Sequence, residues 1–263
     1  MGMEKAVRHV DAINKWRAAQ KAEANAALAQ SPAVHGVREY AENNPKGLRW
    51  VELKHPSTLP EGYQAPKGYE LTTLKGESSP VLVDLETGVI EKPGKEILGE
   101  QLKYEGDTMG HCVGGYCDDV VSGKSRIFSL RDAKGEPHVT VEYSPARWDK
   151  DYAKSLLDPT GKYETFDDLV HHSRIGNGDY DRVASELADT HGIEKPPQRI
   201  IQIKGKQNKK PNDEYLPFVQ DFVKNHPEGG AWGDIGDLQN TGLIKHTGKR
   251  AEALGPYSTE EEL

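Results

Sequence analysis

Only two cysteines, Cys112 and Cys117, occur in 263 residues, too few for a disulfide framework. If residues 111–121 are helical, side chains five apart point to different faces, so a bridge between the two is not expected either. A reducing, cytoplasmic setting fits this usage. No run of eighteen apolar residues is present, which excludes a membrane-spanning helix, and no membrane partner is expected. The opening MGMEKAVRHVDAINKW has no continuous apolar stretch of the kind a secretory signal needs. Excess positive charge is missing as well. The formal charge is −8, which argues against general coating of DNA or of an anionic membrane but leaves room for a local basic patch.

Metal-ligand spacing is also lacking. His111 and Cys112 are adjacent, as are His171 and His172, and no zinc-finger or HExxH pattern occurs. Asp234 and Asp237 sit in a glycine-rich stretch with too few further oxygen ligands for a calcium loop; docking by Trp232 and Leu238 is the plainer expectation. GYCDDVVSGKS echoes only the end of a phosphate loop. Neither a metal nor a cofactor is expected, and no internal repeat is visible.

What is there reads as an α+β fold, a mainly antiparallel sheet packed by helices, with an N-terminal helical extension. Four regions are expected: the helical extension over 1–46, a small strand-and-turn region over 47–99, an α+β core over 100–225, and a C-terminal loop with an acidic tail over 226–263. The extension holds a helix over 3–30, with Val7, Val10, Ile13 and Trp16 as its apolar stripe, and a short helix over 33–43. LRWVELK reads as a strand, and VLVDLETGVI as two strands about a Glu-Thr-Gly turn. In the core, a helix over 111–121 ends at Ser122-Gly123. SRIFSLRD and PHVTVEYS form a hairpin, RIIQIKG is a third strand and EYLPFVQDFVK a closing helix. Two further helices are expected near 164–172 and 179–190.

The stretch most suggestive of chemistry is GHCVGGYCDDVVSG, residues 110–123. A thiol at a helix start lies near unpaired N–H groups that favour the thiolate, whereas small Cys and Gly residues there also serve simple close packing. Cys117 falls with Val113 and Val120 on the inner face and reads as core. Strand alternation places His138, Thr140 and Glu142 on one face of PHVTVEY, and Gln202 between Ile201 and Ile203. A cysteine at a helix head, then a strand with His, then a strand with an amide is the order of papain-like hydrolases. Cys112, His138 and either Gln202 or Asn208 are the residues for those roles. The lysine-rich KGKQNKK offers a different chemistry: Lys204, Lys206 and Lys209, with Arg131 and other sheet arginines, could grip phosphates.

HCVGGY, GKSRIFSLR, PHVTVE and QIKGKQN together resemble the PcfJ-like family of conjugative plasmids and bacteriophages. The residues that carry the resemblance are His111, Cys112, Val113, Gly114 and Tyr116; Gly123, Ile127 and Arg131; Pro137, Thr140 and Glu142; and Gln202, Gly205 and Asn208. It covers roughly residues 100–225 and implies a mobile-element setting, with the chain as one module of a larger polypeptide. It brings no reaction with it. It also moves the base for Cys112 from His138, which lies outside the pattern, to His111 or Glu142.

Three readings follow: a hydrolase or transferase with a cysteine nucleophile, a nucleic-acid-associated accessory module for element transfer, and a structural interaction module of a larger protein; nucleic acid or a host protein is the expected partner. The first makes a sharp geometric demand. Cys112, Glu142, Gln202 and Asn208 must meet at one rim of the sheet.

Overall fold

The computed structural model describes residues 11–17, 19–20, 30–75, 79–145, 154–155, 158–164, 168–169, 198–225 and 232–263. The expected helix near 179–190 and the pair His171-His172 lie outside these residues, as does most of the helix near 164–172. Residues 11–17 and 19–20 are helical and exposed, including Ile13 and Trp16 of the expected apolar stripe.

An α+β fold forms around a six-stranded sheet of spatial order β1-β2-β6-β7-β8-β9. Its strands are β1 (Val34–Glu39), β2 (Arg49–Leu53), β6 (Arg126–Arg131), β7 (Pro137–Ser144), β8 (Arg199–Lys204) and β9 (Asp234–Ile235). All neighbours are antiparallel except β8 and β9. A small antiparallel sheet of β3 (Tyr69–Thr72), β4 (Val81–Asp84) and β5 (Ile90–Glu91) lies between β2 and β6 in sequence. A hairpin of β10 (Leu243–Lys245) and β11 (Tyr257–Thr259), with α4 (Gly248–Leu254) between its strands, follows β9.

Strand alternation gives the large sheet two unlike faces. Trp50, Phe128, Leu130, Val139, Val141, Tyr143 and Ile203 point to one side, where α3 (Leu216–Lys224) covers them with Val219, Phe222 and Val223. Polar atoms of the large aromatics are satisfied there: Trp50 Nε1 donates to the Phe218 carbonyl (3.1 Å), and Trp232 Nε1 to that of Val223 (2.9 Å). The other face changes character across its width. On β2 and the start of β6 it is apolar, with Val51, Leu53 and Ile127 beneath Leu98 and Leu102 of α1 (Lys95–Met109) and beneath Val113 and Val120. Further along it carries Ser129, Arg131, Thr140, Glu142, Gln202 and Lys204. That polar half positions the site.

The structure differs from the sequence reading in four places. The stretch 226–263, expected as a loop with an acidic tail, contains β9, the β10–β11 pair and α4, with Tyr257 of β11 buried against the core. Residues 34–39 form a strand rather than the middle of a helix: two β-branched valines and an interior Gly36 suit an edge strand, and pairing with β2 outweighs the local periodicity. The helix expected over 111–121 is broken. Cys112–Gly115 make a 3-10 turn and only Cys117–Val121, α2, are α-helical, with the adjacent Gly114 and Gly115 at the break. The long helix before it, α1, went unread. Its inner row is Leu98, Leu102, Glu105 and Met109, so a carboxylate interrupts the apolar spacing, and Gly99 and Gly106 lower its helical propensity.

Candidate functional site

Backbone geometry delivers Cys112. Helix α1 ends at Gly110, whose φ of 71° is left-handed, and Gly110 N–H and His111 N–H both reach the Gly106 carbonyl, at 2.7 and 3.2 Å. His111 is then extended and the 3-10 turn folds back along the helix. The return is so close that a Cβ on Gly106 would stand 2.9 Å from the His111 carbonyl oxygen and 3.0 Å from Gly114 N. Only glycine fits there. Cys112 is exposed, and its Sγ lies 3.9 Å from the Tyr116 hydroxyl. Cys117, expected in the core, is only half-buried at the edge of the apolar cluster, its Sγ 3.5 Å from the Lys95 carbonyl.

The geometric demand on the site is met. His111, Cys112, Thr140, Glu142, Gln202, Lys204 and Asn208 line one pocket, with Val113 and Ile127 as its apolar wall. Its volume is about 10 Å³, room for roughly one water molecule. His111 and Cys112 also border an open groove of about 580 Å³, floored by Gly99, Gly106, Gly110 and Gly114 and flanked by Lys103 and Asp107. The thiol therefore stands in the wall between a small polar pocket and a larger groove.

Glu142 is held from both sides, accepting from Ser125 Oγ (3.1 Å) and Gln202 Nε2 (2.7 Å). Burial, the bond with Cys112 and the negative charge of Glu142 push the Tyr116 phenol up to about 12, so it stays a hydroxyl at neutral pH. His111 Nε2 lies 3.0 Å from Thr140 Oγ1, and burial lowers the ring below the usual histidine range. Asn208 reaches the pocket from a strained loop, where Gln207 and Asn208 both have φ near 60°, at 60° and 57°. Gly205 anchors that loop. A Cβ there would meet the Lys210 carbonyl oxygen at 2.8 Å.

Two expected assignments fail. His138 does not share the pocket: the register shifts where β6 meets β7, between Leu130 and Arg131, and His138 turns away from Thr140 and Glu142. Its ring stacks on Tyr215 at 4.8 Å, with Nδ1 3.0 Å from the Tyr215 hydroxyl and Nε2 3.4 Å from Asp132, so the papain-like arrangement through His138 is not formed. Arg131 is not a phosphate-gripping surface residue. It is 1% exposed and paired with Glu105, which is fully buried.

Most of the candidate phosphate-gripping lysines have carboxylate partners. Lys204 pairs with Asp237 (2.9 Å), Lys206 with Glu136 (2.8 Å) and Lys210 with Asp213 (3.3 Å), while Arg126 is bonded to Glu52. Lys206, Lys209 and Lys210 line a separate cavity with His138 and Tyr215. No cluster of metal-ligating side chains occurs among the described residues, and no helix among them is long and apolar enough to cross a membrane. Trp232 and Leu238 do dock the loop that carries Asp237, whose carboxylate serves Lys204 and Ile203 N–H.

Sequence reasoning missed Glu105, the acid beneath the site. The available signal was a carboxylate on the inner row of an otherwise apolar helix, three residues after Leu102.

Residues 98–148 match the family model described as PcfJ-like protein, in agreement with the motifs. The matched segment runs from α1 through β7 and contains His111, Cys112, Arg131, Thr140 and Glu142, whereas Gln202 and Asn208 come from beyond it. Comparison with curated proteins and with solved structures gave no match.

Proposed function

We propose that the PcfJ-like segment and the strand β8 beside it form a thiol-dependent acyl hydrolase or transferase module of a mobile genetic element, with Cys112 as nucleophile and His111 as base. The supporting observation is the exposed Cys112 thiol in the wall shared by the groove and the polar pocket. An amide or ester enters along the groove that His111 and Cys112 border. The thiol proton passes to His111 as the Cys112 S–H bond breaks, and sulfur bonds to the acyl carbon. The amine or alcohol leaves with the proton from the imidazolium, and water or a second nucleophile then releases the acyl group from sulfur.

Each neighbour has a part in this reading. His111 rather than Glu142 is the base, because both Glu142 oxygens already accept hydrogen bonds and burial keeps the imidazole neutral. Asn208, at the same pocket, supplies an amide donor to the acyl oxygen, and Gln202, whose amide already donates to Glu142, holds that carboxylate in place. The pairing of Lys204, Lys206 and Lys210 with carboxylates makes the nucleic-acid reading the weaker of the two.

The test uses the full chain and a panel of p-nitrophenyl esters. One equivalent of p-nitrophenol should be released in a burst, with an acyl adduct on Cys112 visible by intact mass. Cys112→Ala should abolish both and leave the melting temperature nearly unchanged. An equal burst or adduct in Cys112→Ala refutes the proposal, as does the absence of both from the unaltered chain across the panel.

A further inference from the structure

Beneath the thiol, side chains from α1, β6 and β7 form a hydrogen-bonded chain whose proton positions can be deduced. Glu105 Oε2 accepts from Ser129 Oγ at 2.9 Å and from Arg131 Nη2 at 3.0 Å. Arg131 also donates through Nε to Ser129 Oγ (3.2 Å) and through Nη1 to Gln101 Oε1 (3.1 Å). With a guanidinium against it in a fully buried position, Glu105 is a carboxylate and therefore only an acceptor. Its other oxygen, Oε1, lies 2.5 Å from Thr140 Oγ1. The hydrogen between them must come from the threonine. A hydroxyl has one hydrogen, so Thr140 has none left for His111, and the 3.0 Å contact with Nε2 requires the ring to donate.

We propose that Glu105, acting through Thr140, is the positioning residue of the thiol site: it holds neutral His111 as the Nε2–H tautomer and so makes Nδ1 the atom that takes the proton. The tautomer follows from the Thr140 contacts, while the role of Nδ1 rests on the reading of Cys112 as nucleophile. Charged and titratable groups face this histidine from several elements. Glu105 lies on α1, Glu142 on β7, Lys204 on β8, and Cys112 and Tyr116 on the returning turn. Burial dominates and keeps the ring neutral, whereas Glu105 and the ring's own backbone carbonyl favour it once protonated. A base needs both conditions in one catalytic cycle.

The experiment is two-bond ¹H–¹⁵N correlation on histidine-labelled protein, with the His111 signals identified by their loss in His111→Gln. The expected spectrum is the Nε2–H pattern, retained in Thr140→Ser and lost from its single form in Thr140→Val. Glu105→Gln should reverse it, because the new amide donates to Thr140 and the hydroxyl then turns to Nε2, driving the proton to Nδ1. The threonine variants keep the Arg131–Glu105 pair intact, so the test does not depend on Glu105→Gln folding. Alkylation of Cys112 by iodoacetamide across pH, in a Cys117→Ala background, provides the second arm. Thr140→Val should slow it several-fold at neutral pH and Thr140→Ser should restore it. A proton on Nδ1 in the unaltered protein overturns the proposal. An Nε2–H ring whose loss in Thr140→Val leaves Cys112 alkylation unchanged overturns the role of Nδ1. If His111→Gln also leaves alkylation unchanged, the thiol reading fails and the tautomer stands.

Discussion

Removing either charge of the Arg131–Glu105 pair strands the other inside the protein. Arg131 is 1% exposed and Glu105 0%, so neither Arg131→Met nor Glu105→Leu can be repaired by solvent. Loss of one partner from such a pair costs about 3–5 kcal/mol. At about 2–4 °C per kcal/mol for large domains, the melting temperature should fall by roughly 6–20 °C. The double variant removes both charges and leaves chiefly the neutral Ser129 hydroxyl without its two partners, at about 1–3 kcal/mol. Thr140 can turn its hydroxyl to His111 instead. The double variant should therefore be at least as stable as either single one, with a coupling energy of several kcal/mol. Urea unfolding followed by fluorescence of the buried Trp50 and Trp232 reads all four corners of the cycle. Costs that add to within about 0.5 kcal/mol would show that the pair is not coupled and that its burial has been misread.

Three further outcomes follow from the same region. Gly106→Ala should destabilise the chain by about 1–3 kcal/mol and change Cys112 alkylation, since its Cβ would stand 2.9 Å from the His111 carbonyl; a neutral effect on both would contradict the close packing of turn and helix. Burial lowers His111 in the folded state, so the unfolded chain takes up its proton first as pH falls through about 6.5. Stability should drop below that pH, and the drop should be smaller in His111→Gln. His35, lowered mainly by burial as well, should account for part of what remains, and identical pH profiles for the two proteins would refute the assignment. Ultraviolet titration of Tyr116→Phe against the unaltered chain should show the loss of a phenol ionising at about 12; a missing group near 10 would mean that Tyr116 is not shielded as described.

Much of this arrangement was legible in the sequence, because strand periodicity carries long-range information. Alternation in PHVTVEY and RIIQIKG put Thr140, Glu142 and Gln202 on polar faces, and the pairing of Glu142 with Gln202 in register brought those faces together. What stayed hidden has particular causes. The register shift beside His138 adds one residue to an alternating pattern and reverses where the imidazole points. Glu105 and Arg131 look like surface charges when read singly, and only their mutual burial explains either. Helix α1 was obscured by that same glutamate. Cys112 was placed at the head of an α-helix, whereas the paired glycines after it favour a tighter turn.

The bond between Glu142 and Gln202 joins residues 60 positions apart, yet β7 and β8 are direct neighbours in the sheet. Among the described residues, none between Ser144 and Arg199 lines the pocket. The pocket residues of β7 and β8 are held in register by the strand pairing itself. In general, doubling the length of a connection between paired strands adds only about 0.6 kcal/mol of closure free energy. This makes the connection a natural place for insertion. Relatives could accept whole additional segments between β7 and β8 while keeping the pocket in register, and the chain could be cut there into two pieces that reassemble by pairing those strands.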